Sequence, residues 1–100
     1  MTTVHIENTV KDFDTWKANF DKYERFRADQ GVQSYRVSRS ITEPNEVLID
    51  LEFGDQTAAQ AFLPRLEQIM SSPQAQAQLV RHSVPRLYAV VTERVPSAAG

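Results

Sequence analysis

Phe13, Trp16, Phe20 and Tyr23 recur at intervals of three, four and three, which is one face of a 3.6-residue helix. Five of the nine aromatic residues, Phe26 included, fall in this one stretch, so the segment has a large apolar surface to cover. Opposite it two other residue types carry chemistry: the hydroxyl of Tyr35 and the permanent charge of Arg39. A guanidinium cannot shed its proton and must find an anion, water or the solvent rim. An aromatic wall facing a hydroxyl and a fixed cation has the chemistry to hold an apolar anion. The plain alternatives are that Trp16 and Phe20 fill a core, that Tyr35 bonds a backbone carbonyl, and that Arg39 snorkels out of a sheet edge.

Other chemistries lack their residues. There are no cysteines, so disulfides, thiolate metal sites and a cysteine nucleophile are excluded together. The two histidines, His5 and His82, lie far apart with no carboxylate at ligand spacing, and no metal site is expected. His82 reads as following a helix C-terminus, where the dipole favours a cation. Three glycines, at 31, 54 and 100, do not make a phosphate loop. A net charge of -2 gives no basic excess for nucleic acid. No apolar run approaches a signal-peptide core or a membrane span, and the expectation is a cytoplasmic protein.

The elements that must position these groups follow from the pattern. Val4, Ile6 and Asn8 alternate with His5, Glu7 and Thr9 as a strand. Asp12 stands at an N-cap, and the helix is expected from Phe13 to Gln30, ending at Gly31. Val32 to Thr42 and Glu46 to Gly54 form a hairpin around Glu43-Pro44-Asn45. Setting Ile41 opposite Val47 places Val37 opposite Leu51, Tyr35 opposite Phe53 and Arg36 opposite Glu52, and leaves Arg39 opposite Ile49 on the apolar face. Asp55 caps a second helix carrying Ala58, Ala61, Phe62, Leu66, Ile69 and Met70. Pro64 interrupts that pattern, and a kink or break is expected near Leu63. Ser72-Pro73 opens a short helix to about Arg81, and Leu87 to Val95 is the last strand.

The order β-α-β-β-α-β predicts an α+β, ferredoxin-like domain over residues 1–95: a four-stranded antiparallel sheet with both helices on one face, and a flexible tail at 96–100. The second sheet face then carries Arg36, Ser38, Leu48, Asp50 and Glu52, with His5 and Glu7 beside them, either solvated or covered by a partner.

Asp12-Phe13-Asp14-x-Trp16-Lys17-x-x-Phe20-Asp21, Gly31-Val32-x-x-Tyr35-Arg36-Val37, Pro44-Asn45-x-Val47, Leu51-Glu52-Phe53 and Ser72-Pro73 together resemble the dimeric α/β-barrel superfamily, typified by the antibiotic biosynthesis monooxygenases. The resemblance covers about residues 4 to 95. It implies a homodimer whose sheets pair into a barrel, and a pocket in each subunit between helices and sheet. That pocket would draw on Asn8, Trp16, Phe20, Tyr35, Arg39, Phe62 and Tyr88. It implies further that an apolar, aromatic, anionic metabolite binds there and undergoes oxidation or cyclisation without a cofactor, because an electron-rich phenolate can itself reduce oxygen. A non-catalytic ligand-binding or stress-associated protein, and a structural interaction module, are the alternatives. The haem-degrading branch has an asparagine on the first strand, a tryptophan on the second long helix and a histidine beyond. Only Asn8 matches, since Phe62 stands near the second position and Gln78 or Leu79 near the third, so haem chemistry is not expected.

Overall fold

The computed structural model describes residues 1–97, so the last three residues of the expected tail lie outside the described part. Its elements are β1 (Thr2–Val10), α1 (Phe13–Asp21), α2 (Glu24–Asp29), β2 (Val32–Arg39), β3 (Glu46–Phe53), α3 (Gln56–Met70), α4 (Pro73–Gln78), β4 (Leu79–His82) and β5 (Arg86–Ala89). The sheet order is β2-β3-β1-β4, with β5 also on β1, and every pairing is antiparallel. This is the ferredoxin-like βαββαβ arrangement, with each helix and the last strand divided in two. Within the chain the sheet is open and does not close on itself.

One face is dry. Val4, Ile6 and Val10 on β1, Val47, Ile49, Leu51 and Phe53 on β3, and Trp16, Ala59 and Phe62 from the helices form the buried core. Period-two alternation on the strands and the helical spacing of the aromatics meet on that face. The helix starts are fixed as the sequence predicts: Asp12 accepts from the Thr15 amide at 2.9 Å, Asp55 from Ala58 at 2.8 Å and Ser72 from Ala75 at 3.3 Å. The Thr15 hydroxyl, followed by the Thr15 amide, also holds the Asp12 carboxyl below its ordinary pKa.

Four boundaries differ from expectation. The first helix divides at Lys22–Tyr23, where the amides of both residues bond carbonyls three positions back, Asn19 and Phe20, at 3.2 Å. These tighter bonds end α1, and Tyr23 takes φ -95, ψ 14 before α2 begins. Neither proline nor glycine marks the break. The hairpin register lies two residues from the predicted one: Arg39 pairs with Val47, Val37 with Ile49, Tyr35 with Leu51 and Arg36 with Asp50. Ser40 is the cause, because its Oγ accepts from the amides of Thr42 and Glu43, which winds residues 40–45 into a longer loop. Ile41 is thereby fully exposed. A shift of two keeps every side chain on its face.

The third difference is at the last strand. Ala89 already pairs with Thr2, and the Val90 amide donates to the Met1 carbonyl at 3.0 Å, so β1 has no length left for Val91 to Val95. The edge strand starts earlier instead, at Leu79, which shortens the preceding helix to Gln78. It is interrupted before Arg86, where Pro85 has no amide to give the ladder. Fourth, α3 runs unbroken through Pro64. The missing hydrogen bond and ring clash cost about 3 kcal/mol in a helix interior, and burial of Ala59 and Phe62 on the same helix offsets it.

Candidate functional site

Between the helices and the sheet lies a cavity of about 90 Å³. Ile6, Asn8, Ile49 and Leu51 form its floor, Trp16, Phe20, Tyr23 and Arg27 one wall, and Phe62, Leu66, Ile69 and Met70 the other. Trp16 and Phe20 of the first wall belong to a longer aromatic series that extends beyond the cavity: Phe13 to Trp16 at 5.9 Å, Trp16 to Phe20 at 5.1 Å, and Phe20 edge-on to Tyr35 at 5.7 Å between ring centroids. Geometry of this kind adds rigidity to a surface that is otherwise only apolar.

Asn19 and Tyr23 bring polar atoms to the lining, and two further polar residues, Asn8 and Arg27, are buried in it. Asn8 points to the helix side of β1, is 8% exposed, and its Oδ1 is buried with no hydrogen-bond partner. Arg27 on α2 is 5% exposed, and its Nε is likewise buried and unpartnered. Buried polar atoms are nearly always satisfied, and leaving one unpaired costs about 1–3 kcal/mol. Both residues line the same cavity.

Of the residues singled out from sequence, Asn8, Trp16, Phe20 and Phe62 line the cavity together. Tyr35, Arg39 and Tyr88 do not. The Tyr35 ring backs Phe20 from outside, and its hydroxyl donates a short hydrogen bond to Glu24, which raises the Tyr35 pKa above the ordinary phenol value. Arg39 stacks on Phe13 at 3.9 Å and donates from Nε to the Pro44 carbonyl at 3.0 Å, so its charge is spent at the strand end. Tyr88 faces the other side of the sheet, opposite Thr3, because Leu87, paired with Val4, takes the core side and the alternation of the strand turns its neighbour outward. His82 ends β4 opposite Asn8 and is not at a helix terminus.

The residue missed from sequence is Arg27. Its signal is present: after Trp16, Phe20 and Tyr23, the next position on the same helical stripe is four residues on, at Arg27.

The open face of the sheet holds a second polar cluster. His5 bonds Asp50 through Nδ1 at 2.6 Å and Glu7 through Nε2 at 3.2 Å, and Tyr88 meets the imidazole edge-on at 6.0 Å. Thr3 donates to Glu52 at 2.7 Å. Bonds to carboxylates from both ring nitrogens favour the imidazolium, and the Asp50 hydrogen bond is the largest of the effects that raise the His5 pKa. A pKa raised in the folded state contributes stability that is fully present below the unfolded value of about 6.5 and lost as pH rises through the folded value. Urea denaturation at pH 5.5 and 8.5 should therefore show a pH-dependent difference between the parent and His5→Asn, with the parent favoured at the lower pH. Equal differences at both values would refute the role given to His5. Among the described residues no group of three potential metal ligands gathers, and no helix is long and apolar enough to cross a membrane.

No family model and no curated protein matches the sequence. Solved structures do match. SnoaB from Streptomyces nogalater, described as a cofactor-independent oxygenase, aligns with a TM-score of 0.72 over 96% of this chain and 97% of its own, at 17% identity. A protein described as dimeric and ferredoxin-like, from an uncultured marine organism, gives 0.66 over 96% and 92% at 8% identity. An antibiotic biosynthesis monooxygenase gives 0.59 over 92% and 100% at 14% identity. The chain shares the ferredoxin-like fold of these proteins. Its cavity lies between the helices and the sheet of that fold, on the side away from the His5 cluster.

Proposed function

We propose that this protein binds an apolar, aromatic, anionic metabolite in the cavity beside Trp16 and oxidises it as a cofactor-independent monooxygenase. The observation that carries the reading is the pair of unpartnered buried polar atoms, Asn8 Oδ1 and Arg27 Nε, on residues that line one mostly apolar cavity. Exclusion of water raises the worth of each polar contact inside, and a fixed cation favours the ionised form of a phenol. The substrate supplies the electrons to oxygen. What the protein supplies is orientation against the aromatic wall and a charge in place before the reaction begins.

Size bears on the substrate. An apolar cavity of about 150 Å³ is enough to bind benzene, so the present volume of about 90 Å³ accepts a single ring only after relaxation. For polycyclic phenols α2 has to move outward. The break at Lys22–Tyr23 on one side and Gly31, at φ 96, on the other are where its backbone can turn.

A homodimer in the cytoplasm, with the open sheet faces of two copies meeting, completes the proposal. It is supported by the exposed polar face and by the dimeric description given to proteins of this fold. A second reading, a binding protein without catalysis, draws on the lining itself, which includes no histidine, aspartate or glutamate to act as a base. Oxygen-electrode traces with hydroquinone-type phenols separate the two. The monooxygenase reading expects uptake stoichiometric with substrate and abolished in Trp16→Ala, whereas saturable binding without uptake would leave the binder.

A further inference from the structure

The Arg27 guanidinium is buried, yet it is poorly satisfied. Nη2 reaches Glu24 Oε2 at 3.5 Å, and the guanidinium also hydrogen-bonds the Tyr35 hydroxyl, while Nε has no partner. Glu24 Oε2 accepts the Tyr35 hydroxyl as well, and the Glu24 side chain is 65% exposed, so solvent screens the pair. The Arg27 side chain itself is 6% exposed. Phe20 lies against the guanidinium at 3.7 Å and Tyr35 at 4.8 Å. Phe20 covers one face and Tyr35 lies beside it rather than opposite; because the N–H groups lie in the guanidinium plane, a further acceptor approaches in that plane, where Nε–H is buried without a partner.

We propose that Arg27 is the specificity residue of the cavity, and that its Nε–H donates to ligands presenting an anionic oxygen, an ionised hydroxyaromatic above all. This rests on the cavity reading of the preceding section and adds to it the group that selects charge. Two features set Arg27 apart from Arg39. Arg39 is exposed and its Nε is already donated to a carbonyl. Arg27 also sits on α2, tied to β2 through Glu24 and Tyr35. Ligand charge and the position of α2 are thus read by one side chain.

The test uses calorimetric titration of the full-length protein with 4-nitrophenolate and with nitrobenzene, which lacks the anionic oxygen. A charge-assisted hydrogen bond predicts a preference for the phenolate of about tenfold or more in the parent. In Arg27→Met the preference should vanish while nitrobenzene still binds, and in Arg39→Ala it should persist. Arg27→Lys keeps the charge without the in-plane donor and should lose most of the preference. It provides the same comparison if circular dichroism shows Arg27→Met unfolded. Equal affinity of the parent for the two probes, or a preference surviving in the Arg27 variants, overturns the assignment of Arg27 alone. Absence of binding by both probes overturns the cavity reading with it.

Discussion

Phe53→Ala should destabilise the protein by about 3–5 kcal/mol, which is a large share of the total stability of an ordinary domain. Phe53 ends β3 with 0% exposure, touches Phe62 of α3 at 5.3 Å between centroids, and pairs with both Thr2 and Val32. It therefore joins the central strands to the helix layer, and truncation leaves a void where three elements meet. Neighbours fixed in a sheet cannot collapse to fill it. Urea unfolding followed by far-ultraviolet circular dichroism measures the loss, and a change below about 1 kcal/mol would contradict the packing described.

Asn8→Leu should do the opposite. Removing a buried acceptor that has no partner, and replacing it by an apolar side chain of similar size, is expected to raise stability by about 1–2 kcal/mol. For a domain of this length that corresponds to a rise of roughly 4–8 °C in Tm per kcal/mol. The same change should weaken binding of hydroxyaromatic ligands, because the orphan oxygen is where their hydroxyl would bond. Stability gained with binding lost is the signature of a polar group kept for function. Lower stability in Asn8→Leu would mean that Oδ1 already has a partner in solution, and the case for a built site would fail.

Much of this arrangement can be read from residue spacing. The period-two pattern of β1 and β3, the Asp12, Asp55 and Ser72 caps, and the aromatic face of α1 each state a local preference that the tertiary structure respects. The element order then leads to the observed sheet. What spacing does not reveal is where an element stops when a distant partner decides it. The edge strand begins at Leu79 because β1 runs out of length at Thr2, which is a non-local limit. The hairpin register is set by a serine hydroxyl collecting two amides, and counting Glu43-Pro44-Asn45 as the whole loop misplaces it by two. The break after α1 has no glycine or proline to announce it.

The cavity residues divide along the same line. Asn8, Trp16, Phe20 and Phe62 follow from face and period alone. Arg39 attracted notice as a charge on an apolar face, but a strand-end arginine can reach Phe13 and a loop carbonyl. Arg27 was on the better stripe. A charge at the end of an aromatic series reads as a solvated turn of helix until the bend at Lys22–Tyr23 carries it inward.

Trp16 is the only tryptophan of the chain and lines the cavity, so its indole N–H gives one nuclear magnetic resonance signal that reports on the site. Titrating the nitrogen-15-labelled protein with a hydroquinone under argon tests the account most directly. A saturable shift of the Trp16 resonance, with the His5 and Tyr88 signals of the open face unmoved, is the predicted result. An unmoved Trp16 signal at saturating ligand, or shifts confined to the open face, would contradict it.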